Sequence, residues 1–190
     1  MPKLHSYNQL STLKKLFLIP LFIIGCVSCL NAQLFISKLT GKGSSKYNTG
    51  YGAFLRLGFH ISEADEITGE IGFNDYTLKD LPTYGILTAP LKVGYQYTID
   101  RTGSGFYLEP QLGYNIVGIV PSYNNTTYQE EETKFKGVVG TINGGYILNW
   151  ESIGTKINFG LRYESVFYGG GSVHAAGMFL LFSFQKRKVL

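Results

Sequence analysis

Cysteine is nearly missing from this chain. It has two, Cys26 and Cys29, and both lie close to the N-terminus. If the first 32 residues are removed, the remainder carries none, which excludes a disulfide framework. Charge is also scarce. Asp, Glu, Lys and Arg supply 16% of residues, against about 25% in an average soluble domain. Long apolar runs are absent: no stretch approaches the roughly 20 residues of a membrane helix. Mean hydropathy is +0.03, too low for a bundle of such helices. No helical period competes after residue 33, and tryptophan occurs once. What the chain has instead is 24 glycines, 14 tyrosines and 13 phenylalanines in 190 residues, a length that fits one domain.

The N-terminal segment reads as a leader. Lys14 and Lys15 precede the apolar run LFLIPLFII (16–24), and the short segment GCVSCLNAQ follows. A basic start, an apolar centre of this length and a small residue at a cleavage point define a secretory signal peptide. The pattern predicts a signal peptide over 1–32, with cleavage after Ala32, and a single domain over 33–190. Two other readings stand beside it. IIGC (23–26) is similar to a lipobox with Cys26 open to acylation, and the apolar run also suits a buried first helix.

Beyond residue 33 the apolar residues recur with a period of two, the mark of strands with two different faces. In 51–61, Tyr51, Ala53, Leu55, Leu57, Phe59 and Ile61 alternate with Gly52, Phe54, Arg56, Gly58 and His60. SEADE (62–66) reads as a turn, and Ile67, Gly69, Ile71 and Phe73 then oppose Thr68, Glu70, Gly72 and Asn74. Similar alternation runs through 88–99, 105–119, 137–150 and 155–167, with Val173–Gln185 apolar on both faces. A weaker strand, 34–40, brings the number to eight. The fold expected is all-β, an eight-stranded antiparallel up-and-down barrel.

The polar face decides the surroundings. It carries Arg56, Glu70, Lys92, Glu109, Lys156, Arg162 and Glu164 on separate strands, with amides and glycines between. A soluble sandwich turns such a face to water. In a membrane barrel it lines the lumen, where opposite charges pair, and the apolar face meets lipid. Charge parity separates this from a soluble lipocalin-like barrel, whose interior would be apolar. Loop lengths agree with a membrane barrel. Taking the N-terminus as periplasmic, segments 41–50, 77–85, 120–136 and 168–172 fall outside, and the shorter turns 62–66, 98–104 and 151–154 fall in the periplasm. The polar segment 121–135 is the largest of these loops. Both termini are then periplasmic.

Aromatics gather at the periplasmic ends of the strands: Phe59, Tyr95, Tyr97, Phe106, Trp150, Phe182 and Phe184 make a candidate girdle. Tyr51, Tyr76, Tyr84 and Tyr168 are candidates for the outer one. Six strands place a glycine before a large apolar residue, at Gly58, Gly72, Gly94, Gly113, Gly145 and Gly160. By parity each glycine faces a lumen barely wide enough for its side chains; the other reading is that they mark bulges. Pro90 and Pro110 lack an N–H and have no barrel edge to hide at, so the pairing near them should be irregular.

The segments LNAQ (30–33), APLKVGYQY (89–97), GFYLEPQLGYNI (105–116) and GLRYES (160–165) carry a resemblance. They resemble the small outer-membrane β-barrel proteins of Bacteroidetes-type bacteria, broadly OmpA/OmpX-like. The resemblance covers the chain after residue 33 and implies outer-membrane location, contact with membrane lipid and assembly by the barrel-assembly machinery. It implies no substrate. Such barrels commonly end on an aromatic residue; here Phe184 is followed by QKRKVL.

Eight strands around a filled lumen leave no aqueous channel, so general porin activity is not expected. Ser172, His174 and Glu164 stand near the outer ends of neighbouring strands and suit a lipid-modifying acyl-transfer enzyme on residue type. His60 and His174 are isolated and His5 lies in the leader, so neither a metal site nor a cofactor is expected. No phosphate-binding loop is present, no nucleic-acid partner is expected, and Lys186, Arg187 and Lys188 read as a solvated tail. The expected function is non-enzymatic, structural or surface-binding through the outer loops, where Glu130–Glu132 sit.

Overall fold

The computed structural model describes residues 30–80, 85–124, 129–150 and 155–184. Most of the leader, Tyr84, the turn 151–154 and the basic tail lie outside the described residues, as do the side chains of Glu130–Glu132 and Phe184. The strands are β1 (Leu30–Thr40), β2 (Gly50–His60), β3 (Asp65–Thr77), β4 (Gly85–Thr98), β5 (Gly105–Asn124), β6 (Gln129–Trp150), β7 (Thr155–Tyr168) and β8 (Gly171–Phe184). They form a closed barrel in chain order. Every neighbour is antiparallel, and β1 meets β8 from Ala32↔Phe182 to Thr40↔His174. Closure leaves no strand edge in the wall, which is the requirement for β-structure in hydrocarbon.

Several strand boundaries differ from those the sequence predicts, three of them with consequences for the site and the loops. β1 begins at Leu30, paired with Leu57, and not at Leu34. β3 begins at Asp65, so Glu66 is a strand residue paired with Gln96 and not part of a turn. The segment 121–135 is not a plain loop. β5 and β6 continue into it as a two-stranded extension, paired from Gly118↔Phe135 to Asn124↔Gln129. Backbone pairing needs only alternating N–H and C=O groups, so a polar segment can extend a hairpin where it has left the apolar zone.

Both prolines interrupt the pairing. Across β3–β4 the register runs to Ile71↔Leu91 and resumes at Asn74↔Thr88, skipping the positions opposite Pro90. Across β4–β5 it shifts between Ala89 and Pro90, and Ala89 N donates instead to Asn115 Oδ1 at 2.9 Å. The same β4–β5 ladder lapses between Gly94↔Gln111 and Tyr97↔Leu108, opposite Pro110. Ile116 and Val117 are both exposed, the signature of an extra residue bulged out of β5.

The burial pattern is inverted relative to a soluble protein. Leu34, Leu112, Leu161 and Met178 face outward and are 63–67% exposed, while Arg56, Glu70, Lys92 and Arg162 are at most 4% exposed. At the long-loop end the interior turns apolar. Leu39, Tyr76, Ile86, Phe135, Val139, Val166, Val173 and Ala175 pack as one cluster, with Tyr47 and Tyr168 against it. β8, apolar on both faces in the sequence, gives Val173, Ala175, Phe179 and Leu181 to the interior and Met178, Leu180 and Phe182 to the outside.

Candidate functional site

The period of two sends one set of side chains from each strand to a common axis, and there they form a connected polar network. Arg162 on β7 is its hub. Its Nη2 donates to Glu70 Oε2 at 2.6 Å and to Gln33 Oε1 at 3.3 Å, and its Nε donates to Asn143 Oδ1 at 2.9 Å. Its guanidinium lies over the Phe54 ring at 4.6 Å, with Phe35 and Phe179 alongside. Lys92 on β4 bridges two carboxylates, Glu70 at 2.8 Å and Glu164 at 2.5 Å. Asn74 and Thr141 also donate to Glu164.

Glu109 on β5 is the second hub. It accepts from Thr68 Oγ1 at 2.6 Å, Gln111 Nε2 at 3.1 Å, Asn143 Nδ2 at 3.2 Å and Arg56 Nη2 at 3.4 Å. Arg56 then reaches Gln96 Oε1 at 2.9 Å and Glu66 Oε1 at 3.5 Å near the short-turn end. Charges this deeply buried are tolerable because nearly every one is paired and hydrogen-bonded. Close packing also needs small neighbours. A Cβ at Gly94 would lie 2.6 Å from Gln111 Cγ, so glycine makes room for that side chain; one at Gly113 would run into Leu91 O and lie 2.7 Å from Lys92 Cγ, so there glycine accommodates both the backbone of β4 and the lysine.

Of the seven charged residues read from the polar face, the structure brings together Arg56, Glu70, Lys92, Glu109, Arg162 and Glu164. Lys156 stands apart. It is only partly buried at the start of β7, and its Nζ donates to Gly103 O at 3.3 Å at the short-turn rim. Glu66 belongs to the network and is the carboxylate that the sequence reading left in a turn. Counting back by twos from Glu70 through Thr68 reaches it. Asn74, Gln96, Gln111, Thr141 and Asn143 share the same parity and complete the carboxylate bonds.

The outward aromatics Phe59, Tyr95, Tyr97, Phe106, Trp150 and Phe182 all stand near the short-turn end, and Tyr95 Oη donates to Asp65 Oδ1 at 2.5 Å. Tyr146 and Phe159 join them, with Phe106 and Tyr146 in edge contact at 4.9 Å. At the other end Tyr51 faces outward and is 65% exposed. Tyr76 does not. It is 1% exposed inside the barrel, hydrogen-bonded to Ser37 Oγ at 2.8 Å, because its parity is that of Glu70 and Asn74. Tyr168 likewise turns inward, 4.4 Å from Phe135, since its neighbour Phe167 takes the outward position.

Ser172, His174 and Glu164 do not come together as a Ser–His–carboxylate set. His174 Nε2 shares a hydrogen bond with Ser172 Oγ at 2.8 Å, and its Nδ1 shares one with Ser165 Oγ at 2.8 Å. Glu164 lies on the other side of the sheet, held by Lys92. Adjacent residues on a strand point to opposite faces, so Glu164 cannot join Ser165 and His174. Among the described residues no group of three His, Cys, Asp or Glu side chains is placed to hold a metal ion.

A closed antiparallel barrel of eight strands, polar and charged within and apolar without, has the fold of the small outer-membrane β-barrels. Comparison with solved structures agrees on the fold. The N-terminal β-barrel domain of OprF from Pseudomonas aeruginosa superposes with a TM-score of 0.55 at 10% identity, covering 80% of this chain and 95% of that one. Ail, the attachment invasion locus protein of Yersinia pestis, gives 0.55 at 12% identity, with 80% and 95% covered. Neisserial surface protein A gives 0.51 at 11% identity, with 80% and 93% covered. No family model matches the sequence, and no curated protein is detectably similar to it at the sequence level.

Proposed function

We propose that this chain is a non-enzymatic outer-membrane β-barrel protein of the OmpA/OmpX-like kind that its sequence resembles. In this reading both termini are periplasmic and the long-loop end faces outside. The observation that carries it is the inverted partition: a wall of exposed Leu, Ile, Val and aromatic side chains around a buried network of Arg, Lys and Glu. Only a hydrocarbon surround makes that wall favourable. Membrane lipid is then the constant partner, and the barrel-assembly machinery a transient one.

The wall has the length and closure to cross a bilayer, and its lumen is filled, so the role falls to the outer surface. The β5–β6 extension is the longest projection at that end, and loops carried on rigid barrels are where binding residues are usually placed. Ail is named the attachment invasion locus protein, and one of its structures is a complex with the heparin analogue sucrose octasulfate. An adhesive or ligand-binding role for the extension here is supported by its length and its place beyond the barrel wall. Membrane fractionation with heat-modifiable gel mobility tests the main reading. Recovery in the soluble fraction would defeat it, and deletion of 122–134 with no change in surface binding would defeat the role of the extension.

A further inference from the structure

The outer wall is not uniform. Across β6, β7 and β8 it carries a shallow hollow of about 480 Å³. Gly144, Ala176 and Met178 line it among larger apolar residues, and its accessible lining is almost wholly apolar. A smooth lipid-facing wall would be filled at these positions by branched side chains. Toward the long-loop end the hollow meets polar groups. His174, two residues from Ala176 on β8, faces outward between the Tyr163 and Phe167 rings and holds the hydroxyl of Ser172. On the adjoining strand Lys38 pairs in register with Ala176, and it is exposed on the outward face. Among the described residues no carboxylate forms an ion pair with Lys38, whereas the buried cations Arg56, Lys92 and Arg162 all have one.

An exposed ammonium with no carboxylate beside it, next to an apolar band, is free to meet an anion. Toward the long-loop end the exposed Ser172 hydroxyl, held in place by the half-buried His174, adds a hydrogen-bonding group. Ser172 and His174 sit above the hollow and Lys38 is level with its upper edge at Ala176, which is the order of groups along an acylated lipid. We propose that this part of the wall is a binding site for one anionic acyl lipid of the surrounding leaflet. Its charged headgroup would lie against Lys38, with the Ser172 hydroxyl, positioned by His174, hydrogen-bonding to it, and an acyl chain would lie in the hollow over Gly144. The site rests on the reading that the wall faces a bilayer. Recovery of the protein in the soluble fraction would defeat that reading, whereas a membrane-bound barrel lacking the lipid preference would defeat this inference alone.

The test uses the purified protein in detergent micelles, titrated with phosphatidylglycerol and with phosphatidylcholine of the same acyl chains. Bound lipid is counted by native mass spectrometry. The wild type should retain phosphatidylglycerol about fivefold over phosphatidylcholine, the preference expected for one cation at a headgroup. Lys38→Gln should bring that ratio near one. Gly144→Phe should lower retention of both lipids. A Cβ at Gly144 meets nothing nearer than 3.8 Å, so the hollow can accept the ring. Ala176→Leu is a second filling variant, and heat-modifiable mobility identifies the folded barrels among them. Equal retention of the two lipids by the wild type, a ratio that survives Lys38→Gln, or unchanged retention in both filled variants would overturn the site.

Discussion

The interior of this barrel is built in two ways, and the two zones differ in what holds them. From the short-turn end to mid-barrel, Arg56, Glu66, Glu70, Lys92, Glu109, Arg162 and Glu164 are held by directional bonds between specific atoms. At the long-loop end, Leu39, Tyr76, Ile86, Phe135, Val139 and Val166 are held by contact area. The first zone punishes loss of a partner, because the charge left behind stays buried. The second punishes loss of volume. The polar zone therefore fixes which strand lies where, while the apolar zone seals the mouth that faces the longer loops.

That contrast can be broken from its strongest side first. Arg162→Met removes one of the two cations paired with Glu70 and should cost about 3 kcal/mol, the low end of the range for breaking a buried pair, because Lys92 still faces that carboxylate. Urea unfolding of the barrel in lipid vesicles measures it. A loss under 1 kcal/mol would mean that water already reaches the network. Phe135→Ala in the plug should cost about 3 kcal/mol by the same measurement, near the low end for aromatic truncation because the site adjoins the rim. Tyr76→Phe keeps the plug's volume and removes only the bond to Ser37, so about 1 kcal/mol is expected. Planar-bilayer recording sharpens the comparison further. Phe135→Ala should leave conductance near zero, because the polar zone still fills the lumen beneath. Deletion of 122–134 should leave the unfolding midpoint unchanged, since the wall below Gly118↔Phe135 keeps all its pairs.

Much of the polar zone was legible in the sequence, since a strand's parity is written in its residues. Arg56, Lys92 and Arg162 sit where alternation puts them. The apolar plug was not legible for the same reason. Alternation reports which face a residue takes, not how deep in the barrel it lies, so nothing in it marks the level of the plug. Tyr76 and Tyr168 read as girdle residues from their aromatic type and place near strand ends, whereas their parity puts both inside, where they close the mouth. Glu66 was lost at a strand boundary, where Ser62, Ala64 and Asp65 imitate a longer turn and Ser62 Oγ does organise one, accepting from Ala64 N and Asp65 N. The effect of Pro90 could be foreseen in kind, because a missing N–H must interrupt a ladder. The partner that compensates, Asn115, could not, because it arrives from a strand 26 residues on.

The seam between β1 and β8 has a consequence for how the protein comes to exist. The first strand finds its second neighbour only when the last strand is in place, at a sequence separation of about 150 residues at Ala32↔Phe182. Until then two strands carry open rows of N–H and C=O groups that hydrocarbon cannot satisfy. Insertion and closure are therefore tied into one event, and the chain cannot be stably half-built in lipid. Once shut, the same seam must be reopened before any strand can leave, which places a high kinetic barrier against unfolding.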